Sequence, residues 1–205
     1  MTPLQSRIAL IATAVVGLLA GFGLAHELDH KPPQLASGTW LPVARQVGDF
    51  RLQDTQGHPF TRSDLNGEPH LVFFGFTHCP DVCPTTLAML AEVSRAHVLP
   101  AQVLFVTVDP ERDTPERLAR YVHAFDPSFL GLTGDAGTIA QMASQFGVLI
   151  SKVPLPGGDY TMDHSAVLFL LNAQGQIASI FTPPFDTQRL EQDLKLAAPQ
   201  LGGDG

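Results

Sequence analysis

The stretch Phe73-Phe74-Gly75-Phe76-Thr77-His78-Cys79-Pro80-Asp81-Val82-Cys83-Pro84 constrains this chain more than any other. It holds both cysteines of a 205-residue protein at the point where an apolar run breaks into a turn. Of all placements of two cysteines in such a chain, only about one in a hundred sets them four apart, so the spacing asks for a chemical reason. Residues 71–76 are short, apolar and aromatic, which predicts a buried strand, and residues 85–99 repeat Leu87, Leu90, Ala91, Ser94 and Val98 at helical spacing. The cysteines are therefore expected in a strand-to-helix turn. Pro80 and Pro84 lack an N–H and suit a loop or a first helical turn, where that donor has no partner anyway. Free backbone N–H groups there, with the positive end of the helix, favour thiolate over thiol. A lowered thiolate pKa serves disulfide exchange, nucleophilic attack and soft-metal binding alike, and the cysteines alone do not separate the three.

Residues 8–25 are apolar or small, interrupted in polarity only by Thr13, and at helical rise they span roughly 27 Å, enough for one membrane crossing. Arg7 precedes the run while Glu27 and Asp29 follow it, so the positive-inside bias puts residues 26 onward outside the cytoplasm. A cleaved signal peptide ending at Gly23-Leu24-Ala25 is the alternative; the length of the run favours an uncleaved anchor. No Arg- and Ser-rich amphipathic leader precedes it, which points to a bacterial inner membrane with the domain on the periplasmic side rather than to a mitochondrial address. The expected organisation is an anchor at 1–25, a Pro-containing linker at 26–42, one domain at 43–199 and a Gly-rich disordered tail at 200–205. The formal charge of −8 lies beyond Lys31, which argues against a nucleic-acid partner.

Within the domain, residues 50–54 and 59–61 flank the turn Thr55-Gln56-Gly57 and predict an N-terminal hairpin. A second β-branched strand is expected at 103–108. Thr114-Pro115-Glu116 then offers an N-cap, a first-turn proline and an early acid for a helix to about residue 125. Residues 130–133 are too short to assign. A helix is expected at 139–146, a strand at 149–153, an irregular Gly- and Pro-rich excursion at 154–162, a hairpin from 166–171 and 177–181, and a closing helix at 186–197. Strands and helices in alternation, with a hairpin near each end, predict an α/β sandwich around a mixed central sheet.

Three segments carry a resemblance: Phe74 to Leu87 (FGFTHCPDVCPTTL), Val106 to Pro115 (VTVDPERDTP) and Met162-Asp163-His164-Ser165. On these the chain resembles the Sco/SenC family of membrane-anchored copper proteins with a thioredoxin-like fold, over essentially the whole exported domain. The resemblance implies copper ligands at Cys79, Cys83 and His164, and service to the dinuclear copper centre of cytochrome c oxidase. It implies as partners an apo, copper-bearing oxidase subunit and, beside it, other copper chaperones or thiol reductases.

The residues read alone are compatible with this. Thiolates favour copper(I), zinc and iron-sulfur clusters. Structural zinc wants four protein ligands, which here would take a further donor such as Asp163. Two sulfurs and one nitrogen suit copper(I), and copper(II) with a further weak ligand. His164 stands out among eight histidines because it precedes a buried-looking strand, as a loop residue facing a site would. His78 is its rival by adjacency, but neighbouring side chains in extended backbone point to opposite sides. Asp81 and Asp163 read as caps of backbone N–H groups; Asp109, Arg112 and Asp113 as a local ion-pair cluster beside the site; Met89 and Met142 as core. Two functions remain in competition: a metallochaperone, and a thiol-disulfide oxidoreductase using Cys79 and Cys83. A peroxide-reducing enzyme of the same fold is a weaker third.

Overall fold

Strand β4 (His70–Gly75) is buried along its whole length, with Val72, Phe73 and Phe74 at zero exposure, so both faces of its sheet are covered. The computed structural model describes residues 17, 32–97 and 101–202. The anchor expected at 1–25 lies, apart from Gly17, outside the described residues; no helix among those described is long and apolar enough to cross a membrane. The chain divides into two units, Met1–Pro33 and Gln34–Gly205, and the second carries everything that follows.

In chain order the other strands are β1 (Gly38–Gln46), β2 (Arg51–Asp54), β3 (Pro59–Thr61), β5 (Gln102–Thr107), β6 (Leu130–Thr133), β7 (Ile150–Pro154), β8 (Tyr160–His164), β9 (Leu168–Leu171) and β10 (Gln176–Phe181). The helices are α1 (Val82–Arg95), α2 (Pro115–His123), α3 (Ala136–Phe146) and α4 (Thr187–Ala197). Eight strands form one mixed sheet in the order β1-β10-β9-β4-β5-β6-β2-β3, with β4, β5 and β6 parallel and the remaining pairs antiparallel. The parallel strands need long crossovers, which α1 and α2 supply. Among the described residues, strands β7 and β8 pair only with each other, as a separate hairpin. This is the expected α/β arrangement around a mixed sheet, including the β2–β3 hairpin.

Local chemistry explains the helix starts. Thr114 accepts a hydrogen bond from Arg117 N with Pro115 at the first turn of α2, and Asp186 accepts one from Arg189 N at the start of α4.

The structure corrects four boundaries. The linker expected to reach residue 42 stops earlier, because β1 begins at Gly38 and pairs with β10. The fully buried carboxylate of Asp193 in α4 accepts from Ala36 N, Ser37 N, Gly38 N and Ser37 Oγ at 2.6–3.1 Å, and Trp40 packs against the core. Backbone pairing and a distant carboxylate order this segment, and neither shows in its own composition. The tail expected from residue 200 stays packed through Leu201, whose side chain is buried and whose carbonyl accepts from Ala173 N. The excursion at 154–162 is the turn and second strand of the β7–β8 hairpin, with Gly157 and Gly158 at φ of 88° and 85° making the reversal that other residues resist. Residues 130–133, left unassigned, form β6, an interior strand held between β5 and β2.

Candidate metal centre

The carboxyl end of β4 delivers the first two groups. Gly75 lets the chain pass close to its neighbours: a Cβ there would stand 2.9 Å from Cys83 Sγ and 2.7 Å from the Phe105 ring. The chain then turns, with Cys79 N donating to Phe76 O, and enters α1 at Val82, earlier than the periodicity suggests. Cys83 therefore lies in the first helical turn and is fully buried, while Cys79 sits partly exposed in the turn before it. Cys83 N donates to Cys79 Sγ at 3.4 Å, using one of the helix's otherwise free N–H groups.

The loop is held from beneath by Asp113, which has no exposed surface and accepts from Thr77 N, Thr77 Oγ1 and Thr107 Oγ1 at 2.6–3.0 Å. This carboxylate ties the end of β4 to the end of β5.

His164 arrives on the last residue of β8. Its Nε2 lies 3.6 Å from Cys83 Sγ, its Nδ1 lies 3.3 Å from Ser165 O, and its ring meets Phe73 and Phe76 edge-on at centroid distances of 6.4 and 5.9 Å. The hairpin that carries it is fastened by the segment Asp109-Pro110-Glu111-Arg112. Tyr160 Oη donates to Asp109 at 2.8 Å, Arg112 donates to Asp109 and to Tyr160 O, and both Arg112 and Lys152 lie over the Tyr160 ring at 3.7 and 3.9 Å. Lys152 also pairs with Glu111 at 2.6 Å. Burial, and then the hydrogen bond to Asp109, push the Tyr160 hydroxyl up to about 12, so it remains a donor at neutral pH.

One donor atom each from Cys79, Cys83 and His164 lie within 4.8 Å of one another, the arrangement that a single metal ion needs. The two sulfurs are unequal. The Cys83 side chain beside it, then the His164 ring and the N–H groups of Asp81 and Cys83, hold the Cys79 thiol down to about 4. Cys83 is pushed up by the Cys79 sulfur beside it and by burial. The partly exposed sulfur is thus the one that favours thiolate and the buried one the thiol.

The structure brings together Cys79, Cys83 and His164 from the first and third of the segments that carried the resemblance. His78 points away, accepting from Arg117 Nη1 at 3.0 Å and lying 3.8 Å from Asp113. Met89 and Met142 are buried core residues, as read. The capping roles expected of two aspartates do not hold: Asp81 stands at the start of α1 with no side-chain cap bond, and Asp163 lies exposed within β8. The ion pair expected in the second segment is present between Arg112 and Asp109, whereas Asp113 takes hydroxyl and amide donors instead. Sequence reasoning missed Tyr160, whose partner is 51 positions away, and Tyr121, whose hydroxyl is buried without a partner among the described residues and is pushed up by burial and by the nearby cysteines and Asp113.

Comparison with known proteins agrees with this geometry. A family model described as SCO1/SenC matches residues 41–198. The chain is 37% identical over 200 residues to the mitochondrial protein SCO2 homolog of Bos taurus, covering 92% of this chain and 74% of the relative. It is 35% identical over 183 residues to an SCO2-like protein of Rickettsia conorii, covering 82% and 86%. Among solved structures, that of Bradyrhizobium japonicum ScoI with copper bound superposes with a TM-score of 0.65 at 40% identity, over 75% of this chain and 98% of that one.

Proposed function

The chain belongs to the SCO1/SenC family, and from that membership we propose that it is a copper-binding metallochaperone whose ligands are Cys79, Cys83 and His164. The observation that carries the reading is the convergence of two sulfurs and one imidazole within 4.8 Å from segments 81 positions apart. Two thiolates suit copper(I), and the imidazole supplies the harder donor that copper(II) asks for. Cys79 is partly exposed, so an acceptor's thiolate can replace the chain's sulfurs one at a time. The acceptor is the copper-bearing subunit of cytochrome c oxidase before its dinuclear centre is filled, and residues 8–25 hold the chaperone in the same bacterial inner membrane with its domain on the periplasmic side.

A second reading has its own support. A thiol held down to about 4 beside a buried partner sulfur is the pairing used in disulfide exchange, with Cys79 attacking and Cys83 resolving. Both readings need reduced sulfurs, because a Cys79–Cys83 disulfide removes both thiolates. Purified under reducing conditions and offered copper(I), the protein is expected to take up one equivalent, and after oxidation none. Equal uptake by the oxidised protein overturns the chaperone reading.

A further inference from the structure

The hairpin that carries His164 has an unfinished side. Leu149, Val153 and Leu155 are 80%, 37% and 43% exposed. Leu149 O accepts from Ser165 N and Leu155 N donates to Asp159 O, so the odd-numbered residues from 149 to 155 turn their backbone groups inward to β8. Alternation along the strand then leaves the N–H and C=O of Ile150 and Lys152 on the outer edge, with no β partner beyond them among the described residues. The other edge of the hairpin is engaged with the domain, since Arg112 donates to Tyr160 O and Met162 packs against the core. The inward side chains are satisfied too: Ile150 packs against the core and Lys152 pairs with Glu111. What remains is one open strand edge beside a solvent-facing apolar stripe, Leu149, Val153 and Leu155, with the exposed acid Asp163 opposite Ser151 on that face.

We propose that β7 is the docking strand for the copper acceptor: an extended segment of that protein, apolar at alternate positions and carrying a Lys or Arg to meet Asp163, adds to the open edge at Ile150 and Lys152. Several features favour this occupant. An edge with paired donors and acceptors is matched by another strand, and the alternate apolar residues give the added strand a place for its side chains. A basic residue complements both Asp163 and a chain of net charge −8. Position adds a functional reason, because Ile150 pairs directly with His164 and Leu149 with the following Ser165. A segment bound along β7 is therefore two strands from the imidazole that must let go of copper. The inference rests on the chaperone reading for the identity of the acceptor, but not for the existence of the surface.

The test uses the full chain in detergent, the apo and reduced copper-bearing domain of a cytochrome c oxidase subunit as probe, and the double variant Leu149→Ser/Val153→Ser. Both positions face solvent, so the variant keeps the fold. Copper affinity of the variant is expected within about twofold of the parent, while copper transfer to the probe slows roughly tenfold or more, as loss of two partly buried apolar contacts predicts. Amide hydrogen exchange of the parent is expected to slow at Ile150 and Lys152 when the apo probe is added. Unchanged transfer by the variant, or protection that appears elsewhere, overturns the proposal. Protection of β7 that grows with the chain's own concentration overturns it as well, by showing that a second copy covers the edge. If the probe protects β7 yet never receives copper, the docking surface stands and the chaperone reading falls.

Discussion

Cys79 and Cys83 are one residue type with opposite affinities for a proton, and the difference comes first from their contact with each other, which lowers Cys79 and raises Cys83, with burial raising Cys83 further. Cys79 has its folded pKa depressed to about 4, so its thiolate is present above that value and is lost only as pH falls through it. In the reduced protein, alkylation of Cys79 by iodoacetamide is expected to be flat from pH 8 down to about 5 and half-maximal near pH 4. A midpoint in the ordinary thiol range, near 8.5, would remove the helix N–H groups and the Cys83 side chain as the cause. His164 separates the two readings of function. His164→Ala is expected to weaken copper(II) binding on the order of 10- to 100-fold, followed by visible absorption, while Cys79 and Cys83 still form their disulfide. Unchanged copper(II) affinity would exclude this imidazole from the site. Gly75→Ala puts a methyl group where Cys83 Sγ and Phe105 already are, and is expected to cost about 1–3 kcal/mol in denaturant unfolding, with reduced copper affinity.

At the scale of elements, the site is two pieces brought together: a strand-turn-helix that carries the sulfurs and a hairpin that carries the imidazole. The first was legible in the sequence, because an apolar run, two prolines and a helical repeat all lie within twenty residues and each has a local cause. Of the hairpin only the first strand was, expected at 149–153 and found at Ile150–Pro154; the second was not. Residues 154–162 hold two glycines and two prolines and show no apolar alternation, and the fastening comes from Asp109, Glu111 and Arg112, about 40 to 50 positions earlier. His164 was found through the resemblance and its place before a buried strand, not through any sign of the strand it ends. Tyr160→Phe removes the donor to Asp109 while keeping the ring under Arg112 and Lys152. It is expected to lower copper(II) affinity severalfold, with little change in copper(I) binding or disulfide formation, since only the imidazole depends on the hairpin. Equal loss for both oxidation states would mean that the sulfurs move as well.

At the scale of the whole molecule, the parallel strands β4 and β5 were readable from their β-branched and aromatic runs, whereas β6, only Leu130–Thr133 with a glycine in it, was not, and both margins of the domain were misjudged because long-range bonds fix them. Asp193 closes the N-terminal margin with four accepted hydrogen bonds. Asp193→Ala strands those donors and is expected to lower Tm by roughly 5–10 °C, and a chain beginning at residue 43 is expected to be less stable than one beginning at Gln34, because it bares the edge of β10. Calorimetry that shows equal stability for the two chains would make β1 ornamental. The separation of the sheet from the β7–β8 hairpin has a further consequence. With no ladder between them among the described residues, the hairpin is held by side-chain contacts, and its amides are expected to exchange with solvent at a lower free energy than those of β4 and β5. An ion bound by all three donors stitches the two bodies together, so cargo and closure stabilise each other by the same amount. Copper is therefore expected to slow amide exchange in β7 and β8, and anything that prises the hairpin away to loosen the grip on the cargo in equal measure.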